Sequence, residues 1–191
     1  EVRSKGTKEQ VAELVGLSAK LAGPTIFSQP EIMEAMTNLG ARGMDVTAIR
    51  AMIGRVSETA TAEPKMGLFD VTEVLMAAMN QFGFMDGLSS DPERRAKQIT
   101  DRMTRVSEAM FKAGNLTSAG MDSVGVAFRM FAPQAVSAGI SIERAAAAAG
   151  VMADTGVPPE MGGTALRNIL MRVNDPNVLK KLQRGGINTD A

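Results

Sequence analysis

Apolar positions along this chain recur at the three- and four-residue spacing of helices, and no segment alternates with the period of two that is typical of a strand. The clearest pattern follows Asp91-Pro92-Glu93, where Asp91 can cap a helix and Pro92 can occupy its first position. The apolar residues after it form a heptad seam of Ala96, Ile99, Met103, Val106, Met110 and Ala113. Three heptads are too few to assert a coiled coil, so the pattern favours antiparallel packing in a helical array.

Polar residues with capping ability open the other helical patterns. Thr7 with Gln10, and Ser28 with Glu31, have the spacing of a capping box. Asp45, Asp70 and Ser141 are predicted to be further N-caps.

Glycine and proline predict where the helices end. Helices are expected to stop at Gly23, Gly40, Gly83, Gly139, Gly156 and Gly185, and Gly114-Asn115 is expected to break the chain. Pro133 should kink or split the helix that contains it, because proline lacks an amide donor. The predicted fold is all-α, an irregular array of about eight or nine short antiparallel helices joined by tight Gly-marked turns.

Composition narrows the class of protein further. Hydrophobic residues at 45% and charged residues at 22% are typical of a soluble globular domain, and fifteen Met beside seven Phe indicate an adaptable core. Twenty-one acidic and 21 basic residues balance, which argues against sequence-specific binding of nucleic acid. No apolar run approaches ~18 residues, so no membrane span is expected.

The chain offers few residues for chemistry. It has no Cys and no His, which excludes disulfides, thiolate metal sites and catalysis by imidazole. Asp86 and Asp91 flank a turn but lack the oxygen-rich pattern of a calcium loop, and no Gly-x-Ser-x-Gly motif occurs. We therefore expect no enzymatic activity, no cofactor and no metal site.

Two adjacent glycines, Gly162 and Gly163, open the first turn of a helix that follows Pro158-Pro159. Either another backbone comes close there, or the loop cradles a phosphate. The packing interpretation is favoured, since no Gly-Lys-Ser/Thr follows and no strand pattern precedes. This helix is expected to be buried against the preceding Ala-rich helix, with Gly162 or Gly163 at the contact. Its apolar face is made of Met161, Ala165, Ile169 and Val173, with Leu166 and Leu170 beside them.

Five segments together resemble the conserved core of phage tail tape measure proteins. In chain order they are FSQPEIMEAMTNLGARGM (27–44), MNQFGF (79–84), MFAPQAVSAG (130–139), AGISIERAAAAAGVMADTG (138–156) and MGGTALRNILMRVNDP (161–176). The resemblance covers residues 25–190, although the residues before Gly162 and the loop around Pro64 depart from the family pattern. The family signature and packing residues are Gly139, Gly156, Gly162, Gly163, Thr164, Ala165, Leu166, Arg167 and Asn168.

The resemblance implies a role that composition and periodicity do not show. Such proteins are structural rods that set tail length by templating polymerisation of the tail tube, and they take part in DNA ejection. The implied partners are further copies of the chain in the tail lumen, the tail tube protein and a tail assembly chaperone. The implied locations are the virion tail, of a phage or a prophage, and the host cytoplasm during assembly.

Residues 1–24 are interpreted as an N-terminal helix that links to an upstream chain, and residues 25–191 as the tape measure core-like domain. The chain begins with Glu1 rather than Met, which is expected of a piece of a longer polypeptide. An alternative function stays open: a helical adaptor that binds a partner helix in a Met-rich groove.

Overall fold

The computed structural model describes residues 7–118, 120–173 and 175–185, except for the side chains at positions 179 and 182. The chain is all-α. Within the described ranges it forms nine helices and no strand: α1 (Lys8–Ala22), α2 (Gln29–Ala41), α3 (Val46–Ala62), α4 (Leu68–Gln81), α5 (Pro92–Asn115), α6 (Gly120–Ser137), α7 (Ile142–Asp154), α8 (Pro159–Val173) and α9 (Pro176–Arg184). The chain divides into two compact units, Glu1–Phe111 and Lys112–Ala191, called unit 1 and unit 2 below. The predicted division at residue 24 stays a prediction.

Unit 1 is built on a group of three mutually packed helices, α2, α3 and α4, and α1 packs on α2 and α3. The heptad seam of α5 is confirmed, because Ile99, Met103, Val106 and Met110 are all fully buried. The Thr100 hydroxyl donates to the Ala51 carbonyl at 3.2 Å, which places α5 against α3. The core of unit 1 is therefore aliphatic and rich in methionine.

Unit 2 repeats this arrangement with α6, α7 and α8, each of which packs on the other two. On α7, Ile142, Ala145, Ala146 and Ala149 are fully buried. These small side chains let the neighbouring helices approach closely. The short helix α9 contacts α8.

The predicted N-caps at Thr7, Asp45, Asp91 and Ser141 are confirmed, since each side chain accepts a backbone N–H three residues later. The predicted cap at Asp70 is wrong. Helix α4 already begins at Leu68, with Gly67 as its N-cap, and Asp70 lies in its first turn. Leu68 is buried, so extending the helix to include it gains apolar contact.

The predicted stop at Gly40 is wrong, because the glycine that turns the chain is Gly43, three residues later. Helix α2 continues to Ala41, and Gly43 adopts φ 85°, which favours glycine. The Met44 amide then donates to the Leu39 carbonyl at 3.2 Å, and this hydrogen bond closes the end of the helix.

The expected break at Gly114-Asn115 is confirmed, because α5 ends at Asn115. The expected split at Pro133 is absent, since α6 runs through Pro133 to Ser137. Phe131, Ala132 and Ala135 around Pro133 are buried, so packing holds the helix together despite the missing donor. No helix formed by the described residues combines the length and hydropathy needed to cross a bilayer.

Candidate functional site

Helix α8 carries most of the signature residues. It contacts α6 and α7 of unit 2 through two glycines in its first turns. The helix begins at Pro159, whose missing amide costs nothing in the first turn. Gly162 and Gly163 are its only buried residues. Contact between α8 and its neighbours therefore depends on the absence of side chains at two consecutive positions.

Gly163 lies against α6. A Cβ added to Gly163 would overlap the Ala127 carbonyl oxygen and would lie 2.7 Å from the Cβ of Met130. Backbone atoms cannot move aside as a flexible side chain can, so the crossing of α6 and α8 requires glycine here.

Gly162 lies against α7, where an added Cβ would sit 3.4 Å from the Cβ of Met152. That is an ordinary contact distance, so this crossing is less restrictive than the one at Gly163. Gly139 and Gly156, with φ of 68° and 75°, lie before and after α7 and turn the chain at each of its ends. Four of the signature residues thus mark the turns and crossings of one three-helix group.

The remaining signature residues do not converge on a site. Thr164 is exposed, and its hydroxyl donates to the Glu160 carbonyl one turn earlier at 2.7 Å. Ala165 and Leu166 are half-buried, whereas Arg167 and Asn168 are exposed. Their role as a family signature stays a prediction.

The predicted contact of α8 with the Ala-rich helix α7 is confirmed at Gly162, but the expectation that α8 is buried there is wrong for its apolar row. Met161, Ile169 and Val173 are 63%, 53% and 46% exposed. The helix meets α6 and α7 through its two glycines, so the row of apolar side chains lies to one side of that contact. A shallow groove of about 350 Å³ runs along α8 between Glu160 and Asn168.

Sequence reasoning also missed a hydrogen-bonded clasp between two distant residues. The backbone amide and the hydroxyl of Ser118 both donate to Asp154 Oδ1, at 2.8 and 2.6 Å. These bonds, the hydroxyl's first, lower the pKa of the exposed Asp154 carboxyl from its ordinary value. They fasten the segment after α5 to the C-terminus of α7. Thirty-six residues separate the partners, so no local sequence pattern marks them.

Several of the described carboxylates are engaged in structural contacts. Glu31 accepts from the Ser28 hydroxyl and amide at 2.6 and 2.8 Å, which lowers its pKa at the start of α2. Arg42 pairs with Glu73, and Arg55 pairs with Glu58 and Glu108. Throughout the described ranges, no group of three or more acidic side chains is placed to hold a metal ion.

The arrangement is all-helical, and the motif glycines Gly162 and Gly163 lie at its helix contacts. The model of the phage-related minor tail protein family matches residues 16–191. The chain belongs to this family of phage tail structural proteins.

Two curated relatives confirm the resemblance to tape measure proteins. The chain is 27% identical over 184 residues to the tape measure protein of Pneumococcus phage Dp-1, and 25% identical over 174 residues to a probable tape measure protein of Escherichia phage P2. These alignments cover 95% and 90% of this chain, but only 15% and 20% of the relatives. The chain thus spans less than a quarter of the length of either relative. No solved structure matches it.

Proposed function

We propose that this chain is a folded domain of a tape measure protein, which sets tail length by templating polymerisation of the tail tube and takes part in DNA ejection. The supporting observation is the alignment of nearly the whole chain with tape measure proteins of two different phages. The all-helical fold and the use of the motif glycines in packing fit a structural role.

Tail length is the direct test of the ruler function. In a phage that carries the gene, in-frame deletions in helical regions outside residues 1–191 are made in steps of whole heptads. Tails seen by electron microscopy should shorten by about 1.5 Å for each residue removed from an extended helix. Synonymous recoding of the same region is the control. Infectious particles with unchanged tail length would contradict the ruler function.

The proposed partners are further copies of the chain in the tail lumen, the tail tube protein and a tail assembly chaperone. The proposed locations are the virion tail and, during assembly, the host cytoplasm. Photo-crosslinking from the exposed position Leu116 in assembling particles tests these contacts. Crosslinks to tube protein or to other copies are expected, and crosslinks only to proteins outside the tail would contradict the assignment.

The proposed role in DNA ejection is tested by a separate experiment. Purified particles are triggered with receptor, and the protein is followed by antibody. It should leave the tail together with the DNA, whereas tube protein stays behind. Retention of the protein in emptied tails would contradict this part of the proposal and leave the ruler function intact.

A further inference from the structure

In the described part of unit 2, helix α8 carries an apolar row that is largely exposed. Met161, Ala165, Ile169 and Val173 follow one another at intervals of four residues along α8, and we call this row the α8 stripe. Three of its side chains are about half exposed or more. Exposed single apolar residues are common, but a row of them on one helix marks an interaction surface.

A group of three mutually packed helices does not by itself leave its third helix exposed, as unit 1 shows. Helices α2, α3 and α4 pack on one another as α6, α7 and α8 do. The third helix of the first group, α4, buries eight residues. The third helix of the second group, α8, buries only Gly162 and Gly163. The third helix is therefore largely exposed in the second group, whereas it is largely buried in the first.

The charged residues around the α8 stripe indicate the chemistry of the partner that would bind it. Residues 159–184 contain five basic and two acidic residues, although the whole chain is neutral. Arg172 lies one turn after Ile169 and borders the stripe, and the helix that follows carries Lys180, Lys181 and Arg184. A partner with acidic residues beside its apolar positions complements this surface.

Unit 1 contains one contact between an amphipathic helix and a neighbouring helix. Helix α5 lies against α3, and Ile99, Met103, Val106 and Met110 of its apolar seam are fully buried. At the edge of that contact, Arg55 of α3 pairs with Glu108 of α5 at 3.4 Å. Unit 1 thus already contains one helix contact that combines a buried apolar seam with an acidic residue paired to an arginine.

We infer that the α8 stripe docks an amphipathic helix of a partner protein, with an apolar heptad seam flanked by acidic side chains. Met161 is exposed within the stripe and can adapt to the partner's shape. Helix α8 has no aromatic residue, and Thr164 and Asn168 lie beside the stripe. These features favour a helix over a lipid surface as its occupant. The inference does not require the ruler function.

Two designed peptides test the inference against the whole chain. Both are fluorescein-labelled helices of about three heptads with the same Leu/Ala seam, flanked by Glu in one peptide and by Lys in the other. In fluorescence anisotropy titrations the Glu peptide should bind at least about ten-fold more tightly than the Lys peptide. Equal affinities would overturn the inference.

Variants locate the binding. Ile169→Asp should lower affinity for the Glu peptide by about ten-fold or more, while the matched control Phe69→Asp, at a residue 51% exposed on α4, should leave it unchanged. Arg172→Glu should reverse the preference between the peptides. Both affected residues are largely exposed, so unchanged circular dichroism melts are expected and separate lost binding from lost folding. Binding that survives Ile169→Asp would overturn the inference.

Two other outcomes would also overturn it. The first is a dimer of this chain, seen by analytical ultracentrifugation and abolished by Ile169→Asp, because a second copy would then be the occupant. The second is Ile169-dependent binding to anionic vesicles without binding of either peptide.

Discussion

Gly163 and Ala127 bring α8 and α6 so close that the space for a Cβ on the glycine is already taken by the alanine's carbonyl oxygen. This contact, rather than the apolar side chains of α8, fixes where α8 crosses α6. It explains why the helix can leave its apolar row outside and still belong to the packed unit.

Gly163→Ala should therefore lower the free energy of unfolding by about 2 kcal/mol or more, because the new methyl group meets backbone that cannot yield. Denaturant unfolding followed by circular dichroism measures this. Gly16→Ala on α1 is the matched control, since nothing lies within 4 Å of its added Cβ. That variant should gain about 1 kcal/mol from better helix propensity. Equal effects at the two glycines would contradict the close crossing.

Met103→Asp should unfold unit 1 or weaken it by at least about 3 kcal/mol, because it places an unpaired charge in a fully buried seam. Thermal melts by circular dichroism give the measurement. Lys97→Asp on the exposed side of the same helix is the control and should melt near the native temperature. An unchanged melt for Met103→Asp would show that the seam assignment is wrong.

The Asp154 carboxyl should titrate below its ordinary pKa of 3.8 in NMR spectra of the side-chain carboxyl carbons. Ser118→Ala removes the hydroxyl donor and should move the midpoint back toward that value. Because the folded-state pKa is lowered, the clasp contributes stability above the unfolded-state pKa and loses it as pH falls through the folded-state value. The protection of the Ser118 amide from hydrogen exchange, relative to the intrinsic rate at each pH, should fall over the same acidic range. Identical midpoints in the native protein and the Ser118→Ala variant would contradict the clasp.

The carboxylate of Asp45 contacts two partners, and substitutions distinguish the contributions of the two contacts to stability. Its Oδ1 accepts the Ala48 amide at 2.8 Å, and its Oδ2 pairs with Arg95. Asp45→Ala should cost about 1–2 kcal/mol through the lost cap, whereas removing the exposed ion pair alone, as Arg95→Met does, should cost about 0.5 kcal/mol. Denaturant unfolding of both variants and of the double variant gives the coupling energy. A larger cost for Arg95→Met than for Asp45→Ala would contradict this order.

Local signals in the sequence predicted most of the helices. The caps at Thr7 and Ser141 and the seam around Met103 depend on residues within a few turns of one another, and the structure has them where expected. Where two signals compete, as at Gly40 and Gly43, the positive φ of Gly43 and the hydrogen bond from Met44 to Leu39 end the helix, and sequence spacing alone does not show which glycine is used.

Fewer features of the candidate site could be predicted from the sequence. Periodicity shows that α8 has an apolar row, but it does not show whether the chain covers that row itself. The clasp between Ser118 and Asp154 and the contact between Gly163 and Ala127 join residues far apart in the chain. Such pairs depend on tertiary geometry, which a single sequence carries only indirectly.

Since α8 attaches to unit 2 by two glycines, its unfolding transfers little apolar surface to water. The heat-capacity change and the denaturant m-value scale with that surface, so unit 2 should contribute less to both, per residue, than unit 1. A smaller heat-capacity change flattens the curve of stability against temperature. Because of the close backbone crossing, we expect the stability of unit 2 to change more slowly with warming and cooling than that of the methionine-rich core of unit 1.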